Sequence, residues 1–315
     1  MDRKEWNNLV EIYAPKFGSF LQSWQWGEFQ RSLGRVVERV YASDENGTIL
    51  AQAIKMPLPF GKYYWYIPKG PIGSANIDRK IEVLREELPD AMFLRMEPTE
   101  DTGLLRIQDI QPSTTTALDL TLGKDILWER LKPKTRYNIG LAQRKGVVPK
   151  IVNIQRFSDF ERLLDQTTAR DKFSSYPHTY YKTLLETMRG DGAQAFLAVG
   201  FYDERVICSN IMIDFGGVRT YLHGASSNLH RNVMAPYLLH WYLIEDAIVR
   251  GMHTFDFWGI APNGASEKHP WQGITRYKMG FNGQVIEHPG TVDLQMEHFW
   301  YGFYRCIRGI RRMKV

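Results

Sequence analysis

Apolar and polar positions along the chain fall into two tracts of the same design. Alternation over residues 35–42, 48–56 and 62–68, broken by turn-forming clusters at 43–47 and 59–61, predicts three strands joined by hairpins. Residues 194–201, 205–214 and 218–224 repeat the scheme, with turns at 202–204 and 215–217. Each triplet is followed by a helix and a further strand, 76–88 then 93–97 and 236–250 then 254–258. The second of these helices reads as buried; Pro236 suits its first turn and Gly251 its C-terminal cap. Duplication is the economical explanation, and a meander feeding a helix and another strand predicts an α+β fold with helices packed on the sheets.

The segments between the tracts complete the outline. Residues 124–146 predict a connecting helical segment that Pro133 interrupts or restarts, and 147–154 a strand opening a second domain. Residues 157–189 leave room for two ordinary helices and hold no sustained heptads, which excludes a long coiled-coil arm. At 315 residues the chain exceeds the size at which one core stops growing, so two domains are expected. They are placed at 1–148 and 149–289, followed by a C-terminal helix over 290–315.

Composition narrows the classes. Cys208 and Cys306 lie too far apart for a metal-ligand or redox spacing, so buried free thiols in a reducing compartment and no metal site are expected. The N-terminus has no apolar signal-like core and nowhere do about 18 apolar residues run together, which predicts a cytoplasmic protein. A formal charge of +5 is too small to class the chain as a nucleic-acid binder on composition. Its distribution says more: Arg130, Lys132, Lys134, Arg136, Arg144, Lys145 and Lys150 form a run with almost no acids. That run is either a solvated helix face or a surface for a phosphate-rich ligand.

The order of strand, buried helix, strand and a turn bearing one lysine is that of an acyltransferase half-domain. Acetyltransferases of the GNAT type place a glycine-rich turn before that helix, because backbone N–H groups cradle the CoA pyrophosphate only where side chains leave room. Here residues 231–236 read RNVMAP, with no glycine and a proline that lacks an N–H, so no CoA is expected. There is no nucleophile elbow, no Cys–His signal and no H-E-x-x-H. An activated ester as donor would need no side-chain nucleophile, only amine deprotonation and oxyanion stabilisation.

FDFWGI at 255–260 and GITRYKMGFNG at 273–283, with FLQSWQWGEFQ at 20–30, resemble the Fem family, FemA, FemB and FemX. Similar pieces, FLRMEP at 93–98, TALDL at 116–120, KTRYNIGLAQRKG at 134–146 and YYKTL at 180–184, extend the resemblance in order over nearly the whole chain. Those enzymes are aminoacyl-tRNA-dependent transferases that build peptidoglycan interpeptide bridges. The resemblance implies two tandem GNAT-like domains in the compact FemX-like form, a monomer, and no cofactor. It implies aminoacyl-tRNA as donor and, as acceptor, the side-chain amine at position three of a peptidoglycan stem peptide carried by UDP-MurNAc or lipid II. A place in the cytoplasm, peripheral at the inner membrane face, goes with those substrates.

Lys278 matches the lysine of the family's F-K-x-G-F motif and is the leading catalytic candidate, its ammonium offsetting charge on the oxyanion. The duller reading is a lysine lying over Phe281. Glu97, where the family places an acid, is a second catalytic candidate, set against pairing with Arg95 or Arg106; Asp256 carries the same ambiguity. The resemblance further implies Gln30, Arg170, Tyr180, Tyr181, Tyr221 and Tyr277 at the acceptor site, and Lys134, Arg136, Arg144 and Lys145 on tRNA or diphosphate. Gln30 departs from the family, many members of which have a lysine there that contacts the diphosphate. Trp24, Trp26, Tyr64, Trp65 and Tyr66 are assigned to cores, and His223 and His230 to satisfied structural positions.

The tail from His298 is basic and aromatic; the resemblance implies that its helix packs back on the first domain, burying Phe299, Phe303 and Ile307 and leaving the arginines in solvent, within reach of lipid headgroups. Two other functions fit the same residues. One is an N-acyltransferase acting on another amine from tRNA or acyl-CoA; the other is a catalytically silent binding module that keeps the fold.

Overall fold

The computed structural model describes residues 1–190 and 192–313, with side chains through residue 308. Helices α1 (Arg3–Tyr13) and α2 (Trp24–Ser32) precede a meander of β1 (Val37–Asp44), β2 (Gly47–Pro57) and β3 (Tyr63–Ile67). Then come α3 (Ile77–Glu87), β4 (Phe93–Met96) and the two-residue β5 (Leu105–Arg106). The chain continues through β6 (Thr114–Asp119), α4 (Lys124–Arg130), α5 (Pro133–Arg144), β7 (Val148–Val152), α6 (Phe157–Asp171) and α7 (His178–Thr187). A second meander of β8 (Gln194–Tyr202), β9 (Arg205–Phe215) and β10 (Val218–Ser226) leads to α8 (Ala235–Val249), β11 (Thr254–Gly259) and α9 (Gln272–Lys278). The described chain closes with β12 (Gln284–Glu287), β13 (Val292–Gln295) and α10 (His298–Met313).

The fold is α+β, with two GNAT-like units. The first comprises residues 1–15, 21–113 and the chain from His288; the second comprises 16–20 and 114–287. In the first, the sheet order is β1-β2-β3-β4-β13-β5, with β3 and β4 parallel and β13 antiparallel to β4. Its core joins Ile49, Ala51, Trp65 and Ile67 of the meander to Val83 and Leu84 of α3. In the second, the order is β12-β6-β11-β10-β9-β8-β7, with β10 and β11 parallel and β6 antiparallel to β11. The apolar α8 fills its core with Leu239, Leu243 and Ile244 against α5's Ile139 and Ala142. One buried charge there is fully paired: Arg219 holds Asp214 at 2.7 Å and Asp246 at 2.6 Å.

Two expectations need correction. The division falls after Ser113, not after residue 148. The reason is that β6 pairs with β11 and β12 of the second sheet, and α5 packs on α8, so both elements belong to the unit they precede. The C-terminal helix does return to the first unit, but on a different face from the one expected. Tyr301 and Tyr304, three apart, turn inward: Tyr301 donates to Asp293 Oδ2 (2.9 Å) and both rings meet Phe93. Phe299 and Phe303 are left 79% and 46% exposed, because buried Arg95 and Asp293 draw the two phenols to the sheet and fix the rotation of the helix. Arg311, Arg312 and Lys314 of that tail lie outside the described side chains.

Candidate functional site

The second sheet opens next to its own midline. Parallel pairing of β10 with β11 stops at Thr220/Asp256, although β10 runs on to Ser226. Beyond that point β11 is irregular against β6, with a register shift between Asp256 and Gly259 and with Trp258 in the left-handed region at φ 60°. Asp256, buried, holds the irregularity in place: its Oδ1 accepts from the Trp258 N–H at 2.8 Å and from the Thr115 hydroxyl. Pairing with β6 resumes at Gly259, opposite Thr115, and the Gly259 carbonyl accepts from a side chain.

Lys278 takes that carbonyl. Its Nζ donates to Gly259 O at 2.7 Å and lies 5.3 Å from the centre of the Tyr221 ring, with the side chain inside the unit and only 6% of the residue exposed. Burial lowers its pKa to about 7, with the Asp256 carboxylate pulling the other way. Three local features place it. The Ala261 N–H donates to Thr275 Oγ1 (2.8 Å), tying the exit of β11 to α9. Asn282, in the left-handed region, ends the turn. Gly283 passes so close to β6 that a Cβ would meet Ala117 O at 2.7 Å, which explains the glycine of the FNG sequence.

Around the amine sits a second layer. Tyr277 donates its hydroxyl to Pro236 O at 3.0 Å, and His240 Nδ1 lies 2.8 Å from the same hydroxyl. His240 is packed edge-on to Tyr221 at 4.4 Å and stacked on Phe257. Burial lowers its pKa to about 3, a carbonyl bond opposing and Lys278 assisting, so the ring is neutral. The chain order gave no hint of His240, which reads as one polar position on an apolar helix; the spatial neighbourhood singles it out.

The other sequence candidates divide between the units. Tyr180 and Tyr181 of α7 pack edge-on against His223, and Arg170 donates to Ser226 O (3.0 Å) and Asn228 Oδ1 (2.9 Å) at the end of β10. His223 departs from the satisfied position assigned to it, since its Nε2 has no hydrogen-bond partner among the described residues; burial lowers its pKa to about 4. His230 is exposed beside Tyr202. Lys134, Arg144 and Lys145 are exposed on or just past α5. Arg136 is half-buried and differs from them: one of its nitrogens donates to Glu129 O (2.6 Å) and Leu131 O (2.5 Å), capping the end of α4.

In the first unit, Gln30 is buried, with its amide oxygen taken by Arg35. Glu97 is buried too, and both oxygens are engaged: Oε1 accepts from Gln111 N (2.7 Å) and Thr291 Oγ1 (3.2 Å), and Oε2 accepts from Lys69 N (3.2 Å). Burial raises its pKa, and the nearby Lys69 and these donors oppose the rise. Neither arginine offered as its partner pairs with it, since Arg95 is bidentate to Asp293 and Arg106 faces Asp109.

In the turn before α8, Val233 and Met234 donate their N–H groups to the His230 and Arg231 carbonyls, and Pro236 has no N–H to give. Among the described residues no helix is long and apolar enough to cross a membrane.

Comparison with known proteins gives the family and the fold. The model of the FemAB family matches residues 102–206 and 201–308. The aminoacyltransferase FemA of Staphylococcus epidermidis is 28% identical over 92 residues, 29% of this chain and 22% of FemA, so the chain matches less than a quarter of that relative's length. The crystal structure of FemX superposes with a TM-score of 0.83 at 16% identity, covering 96% of this chain and 98% of FemX. The C-terminal domain of a lysylphosphatidylglycerol synthetase from Agrobacterium fabrum shares the fold more loosely, with a TM-score of 0.56 at 13% identity over 93% and 91% of the two chains. With the family match running across all of β6 to β13 and the lysine turn inside it, the chain belongs to the FemAB family.

Proposed function

We propose that this chain is an aminoacyltransferase that moves an amino acid from aminoacyl-tRNA to the side-chain amine of a peptidoglycan stem peptide, carried by UDP-MurNAc or lipid II. The observation that carries the proposal is the buried amine of Lys278, held on Gly259 O at the opened sheet with its pKa lowered to about 7. Membership of the FemAB family supports the substrate class. The 231–236 turn, which has no glycine, a proline without an N–H and two backbone donors already engaged, favours a donor other than acyl-CoA.

The chemistry is aminolysis of an ester. The acceptor nitrogen attacks the ester carbonyl carbon, a C–N bond forms, and the C–O bond to the terminal ribose breaks as the ribose hydroxyl leaves with a proton. A group with a pKa near 7 is present in both forms at neutral pH. Neutral Lys278 takes the proton that the attacking amine loses; as an ammonium in a poorly hydrated site it then faces the tetrahedral oxygen and offsets its charge. His240 and Tyr277 hold the wall behind the amine and exchange no proton, since burial keeps the imidazole neutral and pushes the phenol well above its usual range. Glu97 has its oxygens on first-unit donors, and we assign it to holding the 109–111 and 291 segments there. Arg170, Tyr180 and Tyr181 are proposed to line the acceptor site, and Lys134, Arg144 and Lys145 to meet phosphates.

The test is a transfer assay with a mixture of charged tRNAs and both acceptor forms, resolved by mass spectrometry. Acceptor masses raised by one or more amino-acid residues, dependent on charged tRNA, are the expected outcome. Transfer from acyl-CoA alone, or binding of the acceptor with no product from any donor, would overturn the proposal.

A further inference from the structure

The first unit carries an exposed aromatic patch that no part of the proposed chemistry uses. Phe299 and Phe303 stand on the outer face of α10, and Phe60 stands 78% exposed at the tip of the β2–β3 turn. Trp300 joins them into one surface, its ring centre 6.5 Å from Phe60, 5.7 Å from Phe299 and 6.1 Å from Phe303. Lys62 Nζ, ion-paired with Glu297 at 2.7 Å, lies 5.2 Å from the Trp300 ring centre, and Arg305, which has no ion pair among the described residues, is exposed one turn along. Solvated phenyl rings grouped in this way are unusual on a monomer surface and mark a contact.

Charge selects the kind of contact. Residues 298–315 hold Arg305, Arg308, Arg311, Arg312 and Lys314 and no acid. A helix with aromatic side chains on its outer face and basic residues along its length suits the interface of a bilayer bearing anionic lipids, where rings enter the headgroup boundary and cations meet phosphates. We propose that Phe60, Phe299, Trp300 and Phe303 form a membrane-docking surface of the first unit, partnered by anionic lipid headgroups. This stands independently of the catalytic reading, since it uses none of the second unit's residues.

The test uses the full chain and sedimentation with vesicles of phosphatidylcholine, with and without phosphatidylglycerol. Wild type should bind the anionic vesicles, and F60S/F299S/F303S should lose roughly tenfold or more in partitioning while its thermal melt stays unchanged, because the three rings are exposed. Cys306 provides a second readout: it is exposed on the outer side of α10, whereas Cys208 is buried, so a polarity-sensitive label goes to Cys306 alone. Its emission should shift to the blue on anionic vesicles. Undiminished binding by the triple variant, or no binding by wild type, would overturn the proposal. Concentration-dependent self-association lost in the triple variant without vesicle binding would assign the patch to a second copy of the chain. Loss of tRNA binding without loss of vesicle binding would assign it to nucleic acid.

Discussion

Two buried charged sites, Glu97 with Arg95 in the first unit and Lys278 in the second, are held in opposite ways. The first encloses Arg95 with Asp293, bidentate at 2.7 Å on each arm, and seats Glu97 on three donors. The second leaves the Lys278 amine with a carbonyl and an aromatic face, and burial draws its pKa down to about 7. Glu97 directly follows β4, the strand parallel to β3, and Lys278 ends α9, which follows β11, the strand parallel to β10; both are buried. Burial alone therefore does not distinguish a site from a scaffold. Compensation does, because a buried charge with a full set of partners is fixed, whereas one held mainly by desolvation is free to change state.

The contrast is open to attack first through Asp293. Asp293→Ala strands the Arg95 guanidinium in the interior, at a cost of about 3–5 kcal/mol. Denaturant unfolding should show the first unit melting early while the second keeps its transition; an unchanged midpoint would mean that Arg95 finds water or another partner. Lys278→Met should act in the reverse sense. Wild-type Lys278 has a pKa of about 7 folded and an ordinary value near 10.5 unfolded, so the unfolded chain binds more protons between those limits and stability rises with pH across that window. Removing the amine abolishes that slope and stabilises the second unit at pH 7 by about 2–3 kcal/mol after the loss of the Gly259 hydrogen bond. A variant less stable than wild type at pH 7, with the slope retained, would make Lys278 an ordinary packed lysine.

Smaller effects sharpen the same line. Glu97→Gln turns an amide N–H toward a backbone donor and should cost about 1–2 kcal/mol in the first unit. No change in stability would show that the carboxylate is not seated as described. For the α5 surface, changing Lys134, Arg144 and Lys145 to glutamine should flatten the log–log salt dependence of charged-tRNA binding by about 2–3, near one per phosphate lost. Arg136→Gln should leave that slope alone and instead loosen α4, since its guanidinium is spent on carbonyls.

Much of the scaffold was legible because it is written in local periodicity. The hairpin triplets, α3, α8 and the restart at Pro133 appear within a residue or two of their predicted places. The unit boundary was not legible, because TALDL predicts a strand without saying which sheet receives it, and the answer depends on pairing with β11 and β12, over a hundred residues downstream. The facing of α10 failed for a related reason. The aromatic residues at 299, 300, 301, 303 and 304 spread over more than one face of the helix, so spacing alone does not say which of them meet the sheet, and the choice is made by Asp293 and Arg95 through Tyr301 and Tyr304. At the site, the lysine of the YKMGF turn was visible in sequence. His240 and the Gly259 carbonyl were not, because a bulge and a helical histidine acquire meaning only in three dimensions.

The central claim is that the chemistry resides with Lys278 in the second unit and not with Glu97 in the first. Single-turnover transfer from charged tRNA, measured for Lys278→Ala beside Glu97→Gln and normalised to folded protein, tests it most directly. The expected result is a loss of roughly 100- to 1,000-fold for Lys278→Ala with acceptor binding retained, and turnover within about threefold of wild type for Glu97→Gln. Wild-type turnover in Lys278→Ala, or an equal loss in Glu97→Gln, would contradict it.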